Sequence, residues 1–104
     1  MAPGYNRDET EKLRATAAEM RLQSIKAQLS AAFTFCRTIE TDLSLERVDV
    51  ASKLLQRVRH AFEVIRDHLN EPGNVPPQKV HEARNELARL EARIAEVEAA
   101  FRNR

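Results

Sequence analysis

Along the first part of the chain the apolar positions Ala15, Ala18, Leu22, Ile25, Leu29, Ala32, Cys36, Ile39 and Leu43 follow one another at alternating spacings of three and four. That spacing lays one seam along an amphipathic helix. The same alternation runs through Val48, Ala51, Leu55, Val58, Phe62, Ile65 and Leu69, and again through Val80, Ala83, Leu87, Leu90, Ile94, Val97 and Phe101. No stretch alternates with the period of two that a half-buried strand requires. The pattern therefore predicts an all-α chain with helices over about 8–43, 45–69 and 77–102. A mean repeat of ~3.5 residues favours helices packed side by side at about 20° with left-handed supercoiling. The expected fold is an antiparallel three-helix bundle with heptad-like seams, one helical domain over 1–104 with a flexible N-terminus at 1–7.

The two breaks differ in kind. Between the second and third segments, Asn70-Glu71-Pro72-Gly73-Asn74-Val75-Pro76-Pro77 sets a helix-stopping proline, a glycine and then two prolines, of which Pro77 suits a first helical turn. Between the first and second, Leu43 and Val48 are five apart, a step outside the heptad, with Asp42 or Ser44 as an N-cap for the second helix. No Pro or Gly enforces that break. The alternative is one continuous helix from about residue 8 to 69, giving a long two-helix hairpin that buries its seam only by dimerising. The stretch from Phe33 to Ile65 is similar to a tetratricopeptide helical pair, with Ala51, Leu55 and Val58 at that family's packing positions. The resemblance supports a turn near Ser44. It stops there, because Thr38-Ile39-Glu40 replaces the family's glycine region and no second repeat occurs at its usual period.

Composition narrows the functional classes. The 104 residues include 17 Lys and Arg against 16 Asp and Glu, a formal charge of +1. The signs are spread evenly from end to end, so neither a nucleic-acid nor a membrane footprint has compositional support. With Gly 2 and no GxGxxG or P-loop pattern, nucleotide-binding folds are disfavoured. No apolar run approaches the ~20 residues of a membrane span, and the first residues lack a signal-peptide apolar region, which makes a cytoplasmic protein the expectation. One cysteine, Cys36, excludes an intramolecular disulfide.

The candidate chemistry is sparse. His60 and His68 lie eight residues apart on one helix, ~12 Å, too far to share a metal without another element. The residues three before His60, His68 and His81 are Arg57, Ile65 and Gln78, so the Glu-x-x-His motif of di-iron bundles is missing. Cys36 falls on the buried seam at mid-helix, where a thiol behaves as a small hydrophobe with a raised pKa. Neither catalytic, metal-ligating nor cofactor-binding residues are expected. A ligand pocket lined by Phe33, Phe35, Cys36, Leu55 and Phe62 is a minor alternative to plain core packing.

Helix lengths point to a partner. At ~1.5 Å per residue the three helices would span about 53, 37 and 39 Å, leaving Asp8 to Ala18 projecting past the bundle. On the side of the first helix away from its seam, Leu13, Ala17, Met20, Ser24, Ala27 and Ala31 repeat at four and three. A monomer would leave Leu13 and Met20 in water. A second stripe of small residues, Ala88, Ala92, Ala95 and Ala99, runs along the third helix. The third helix also carries Arg84, Glu91 and Glu98 on one flank of its seam and Lys79, Glu86 and Arg93 on the other, where charges set register in bundles. The expected function is a small non-enzymatic interaction or scaffold protein, homodimeric through Leu13, Ala17, Met20, Ala27 and Ala31, with another helical protein as a further partner. The alternative is a nucleic-acid or regulatory binder using the basic face Lys53, Arg57, Arg59 and Arg66 beside His60.

Overall fold

A computed structural model describes residues 7–104; the N-terminal stretch expected to be flexible lies outside them, except Arg7, which opens the first helix. The chain forms three helices, α1 (Arg7–Ser44), α2 (Val48–Asn70) and α3 (Pro77–Arg102), and the described residues contain no strand. All three pairs of helices pack together, so the chain forms a three-helix bundle and not the two-helix hairpin. Arg21 of α1 meets Asn74, just before α3, and Glu40 of α1 meets Arg93, which makes α1 and α3 parallel with α2 running back between them. The molecule is long and thin, 69 × 22 × 15 Å.

The seams meet in one core. Leu22, Ile25, Leu29, Ala32, Cys36 and Ile39 of α1 are buried against Ala51, Leu55, Val58, Ile65 and Leu69 of α2 and Ala83, Leu87, Leu90, Ile94 and Val97 of α3. Each large side chain so buried contributes roughly 1.5–3 kcal/mol of transfer free energy. Two seam positions, Ala15 and Val48, are exposed. Ala15 lies on the part of α1 that outruns its neighbours, where the first buried residue is Ala18. Val48 opens α2 at the turn. Phe35, expected to broaden the core face, instead lies on the surface, because its step from Cys36 rotates it out of the seam.

The α1–α2 break is closed by backbone geometry. Glu46 adopts a left-handed conformation (φ 61°). The Glu46 N–H donates to the Leu43 carbonyl at 3.1 Å and the Arg47 N–H to the Asp42 carbonyl at 2.7 Å. This is the paired capping pattern that ends a helix after a left-handed residue, here with Glu where glycine is usual. The apolar contact that often accompanies it is replaced by an ion pair, Arg47 to Asp42 at 3.8 Å. Asp42 and Ser44, expected as N-caps, both belong to α1, and the Ser44 hydroxyl donates to the Thr41 carbonyl at 2.7 Å. The N-cap of α2 is Arg47, with no side-chain cap, so α2 starts at Val48, three residues later than the sequence predicts. The shift arises from the closing turn, which consumes Leu45 to Arg47 before a new helix can begin.

The α2–α3 connection behaves as expected and adds a plug. Pro77 occupies the first turn of α3 behind the N-cap Pro76, and Gly73 takes the positive φ of 78° that the turn needs. Val75 is buried with the core residues. The amide of Asn74 donates to the His68 carbonyl and Arg84 donates to the Leu69 carbonyl, so side chains satisfy the last carbonyls of α2. Arg21 Nε donates to the Asn74 carbonyl at 2.8 Å and ties the loop to α1.

Candidate functional site

The face of α1 turned away from the bundle is the feature that the fold leaves unexplained. Leu13 is 56% exposed and Met20 69% exposed, two of the largest apolar side chains in water. Ala27, Ala31 and Ser24 continue the stripe and are exposed, while Ala17 is half-buried. The structure thus places Leu13, Met20, Ala27 and Ala31 on open surface, with Leu13 on the segment beyond the bundle's end. Sequence reasoning ended this stripe at Ala31, yet it continues at the same spacing through Thr34, Thr38 and Thr41 to Leu45, which is 55% exposed. The three threonine hydroxyls donate to the carbonyls of Ser30, Thr34 and Arg37 in their own helix at 3.1–3.2 Å, so their hydrogen-bonding demand is met within α1. The signal that could have found the extension was the absence of charge from Ala27 to Cys36 in a chain with 32% charged residues.

The other candidate surfaces are used within the bundle only in part. On α3, Glu98 pairs with Arg59 and Arg84 reaches Leu69, so that flank faces α2, while Arg93 pairs with Glu40 on the flank that faces α1. The carboxylate of Glu40 pushes the Arg93 pKa further above the usual guanidinium range. Ala88, Ala92 and Ala95 are exposed and Ala99 is half-buried. Ala95 borders the groove between α2 and α3 beside Arg59 and Phe62.

The basic face of α2 is divided. Arg59 is paired with Glu98; Arg66 lies 3.7 Å from Asp67 and stands over the Phe62 ring at 5.9 Å. Lys53 and Arg57 remain exposed, beside the exposed His60. Half of the expected cationic set therefore points into local pairs.

Residues expected to share a pocket do not meet. Cys36 and Leu55 are sealed in the core and Phe35 lies outside it. Phe33 borders an open groove of about 440 Å³ between α1 and α3, lined also by Lys26, Arg37, Glu82 and Glu86. Phe62 lies instead in the α2–α3 groove. Burial pushes the Cys36 thiol pKa up, with Arg93 opposing and Glu40 reinforcing the shift, which leaves the group neutral. Among the described residues no three His, Cys, Asp or Glu side chains gather as metal ligands, and no helix is long and apolar enough to cross a membrane. His68 is turned into the loop, its Nδ1 3.1 Å from the Asn74 amide.

Comparison with protein-family models, with curated proteins and with solved structures finds no match to this chain. The geometry of the surfaces is then the whole basis for a functional reading.

Proposed function

We propose that this chain is a non-enzymatic helical interaction module that self-associates through the outward face of α1, with a cytoplasmic setting and a second helical protein as a further partner. One observation carries the reading. Leu13 and Met20 stand 56% and 69% exposed at matching positions of a stripe that begins where α1 has outrun its own bundle. Isolated surface leucines are ordinary, but apolar residues in register along an unsupported helix are the pattern by which helices recognise one another. The buried, neutral Cys36 supports the non-enzymatic part, since a nucleophilic thiol needs access and a lowered pKa.

The test is the solution mass by size-exclusion chromatography with multi-angle light scattering, read by refractive index because the chain has one Tyr and no Trp. Twice the chain mass is expected for the wild type and the chain mass for the doubly substituted Leu13→Glu, Met20→Glu, with unchanged helicity. A wild type that stays at the chain mass across the micromolar range overturns the reading.

A further inference from the structure

At the end of α2 a single side chain holds the α2–α3 loop by two bonds. The carboxamide nitrogen of Asn74 lies 3.1 Å from the His68 carbonyl oxygen and 3.1 Å from His68 Nδ1. A carbonyl oxygen only accepts, so the atom facing it is the amide nitrogen, and the orientation of the carboxamide is fixed by that contact. An amide NH2 has no lone pair to offer, so Nδ1 accepts its bond and the ring carries its proton on Nε2. Each of the two amide hydrogens then has its own acceptor, and both acceptors belong to His68.

We infer that His68 and Asn74 form an acid-sensitive latch on this loop, closed while the ring is neutral and broken when the ring takes up a proton. The inference goes beyond the proposed self-association and uses none of its residues. A histidine ring changes charge between about pH 5 and 8, and protonation turns Nδ1 from an acceptor into a donor. The ring N–H and the amide NH2 then face each other as two donors. Turning the carboxamide over offers Oδ1 to the ring, but sets that oxygen against the His68 carbonyl, where two acceptors meet. In either position one of the two bonds is lost.

The latch sits where several segments converge. The Asn74 N–H donates to the Glu71 carbonyl at 3.2 Å, and the Asn74 carbonyl accepts from Arg21 Nε of α1 at 2.8 Å. Its neighbour Val75 is 3% exposed and belongs to the core. Breaking the latch therefore loosens the segment that seats Val75, close to the level at which α1 begins to outrun the bundle. The charged groups that reach this corner are Arg21 of α1, Arg84 of α3, which donates to the Leu69 carbonyl, and on the histidine's own segment Glu71 and Asp67, the latter 3.7 Å from Arg66. The bonds of Arg21, Arg84 and Asp67 go to other groups, and the ring bonds Asn74.

NMR of the full chain tests the latch, in the Leu13→Glu, Met20→Glu form so that the answer is independent of self-association. At about pH 8 the ring nitrogen shifts are expected to show the proton on Nε2 and a bare Nδ1. Both Asn74 amide hydrogens should then exchange with water more slowly than those of the exposed Asn85. At about pH 5, with the ring charged, one of them should lose roughly 2- to 10-fold of that protection relative to Asn85. His68→Leu removes the ring acceptor, so one hydrogen should be unprotected at both pH values, with no step between them. Total stability is not the readout, because a charged ring in the last turn of α2 also meets the helix dipole. A neutral ring protonated on Nδ1, equal protection of both hydrogens with the ring charged, or a step that survives in His68→Leu would each overturn the latch.

Discussion

Glu46 holds a left-handed backbone that costs an L-residue with a side chain roughly 1–2 kcal/mol, and the turn needs it there because the two closing hydrogen bonds depend on that φ. Replacing it with glycine removes the strain at the cost of a more flexible unfolded chain. Glu46→Gly is therefore expected to stabilise by roughly 0.5–1 kcal/mol in urea unfolding, and Glu46→Val to destabilise, since a β-branched side chain tolerates the conformation least. Cys36 gives a pH-dependent counterpart. Burial raises its pKa above the ordinary thiol range, so the folded state holds the proton where the unfolded state has lost it. Its contribution is present below the ordinary thiol pKa and lost as pH rises toward the raised value. Across pH 8 to 10 the wild type should lose more stability than Cys36→Ala, and equal losses would contradict a buried neutral thiol. Residues of this kind show the limits of reading a sequence. Cys36 was legible because its place in the seam fixes its burial, whereas Asp42 and Val75 are buried through the turn and the loop, where no periodicity operates.

Helices and their connections were legible to different degrees for a physical reason. The bounds of α3 match the expected 77–102 because Pro77 fixes its start, while the start of α2 moved to Val48 because a left-handed Glu carries no mark in the sequence. The flanks of α3 were also readable, since charges beside a seam must face the neighbouring helices. Their energetic weight is small. The Glu40–Arg93 pair is partly exposed, with side-chain exposures of 43% and 23%, so a double-mutant cycle to alanine should give a coupling of about 0.2–1 kcal/mol that shrinks in high salt. Leu90, fully buried where the three helices meet, is a different matter: Leu90→Ala should cost about 2–5 kcal/mol, against a few tenths for Leu13→Ala in the separated chain. The bundle is therefore held by its seams, and the ion pairs between helices add little.

At the scale of the whole molecule, the long dimension of 69 Å reflects a first helix that exceeds what its two neighbours can cover. The core accounts for α1 from Ala18 to Ile39 and leaves its outward face without a role inside one chain. The choice between bundle and hairpin was open in the sequence because no Gly or Pro marks residues 44–47; the exposed apolar face of α1 was partly legible, since Leu13 and Met20 stand apart from the seam. If that surface binds a second copy, folding and association are linked, and the melting temperature must rise with protein concentration. For a dimer unfolding to two chains, a tenfold rise in concentration adds ~1.4 kcal/mol per dimer, or ~0.7 per chain. For a domain of about 100 residues that corresponds to roughly 3–5 °C per decade. The doubly substituted Leu13→Glu, Met20→Glu should melt at one temperature at every concentration, and the wild type should approach that value on dilution, because Ala18 is the first residue of α1 that its own core buries. Calorimetry over two decades of concentration would separate this from a core effect: a concentration-independent wild type, or a variant that melts far below the diluted wild type, would mean that Leu13 and Met20 act within the chain and not between chains.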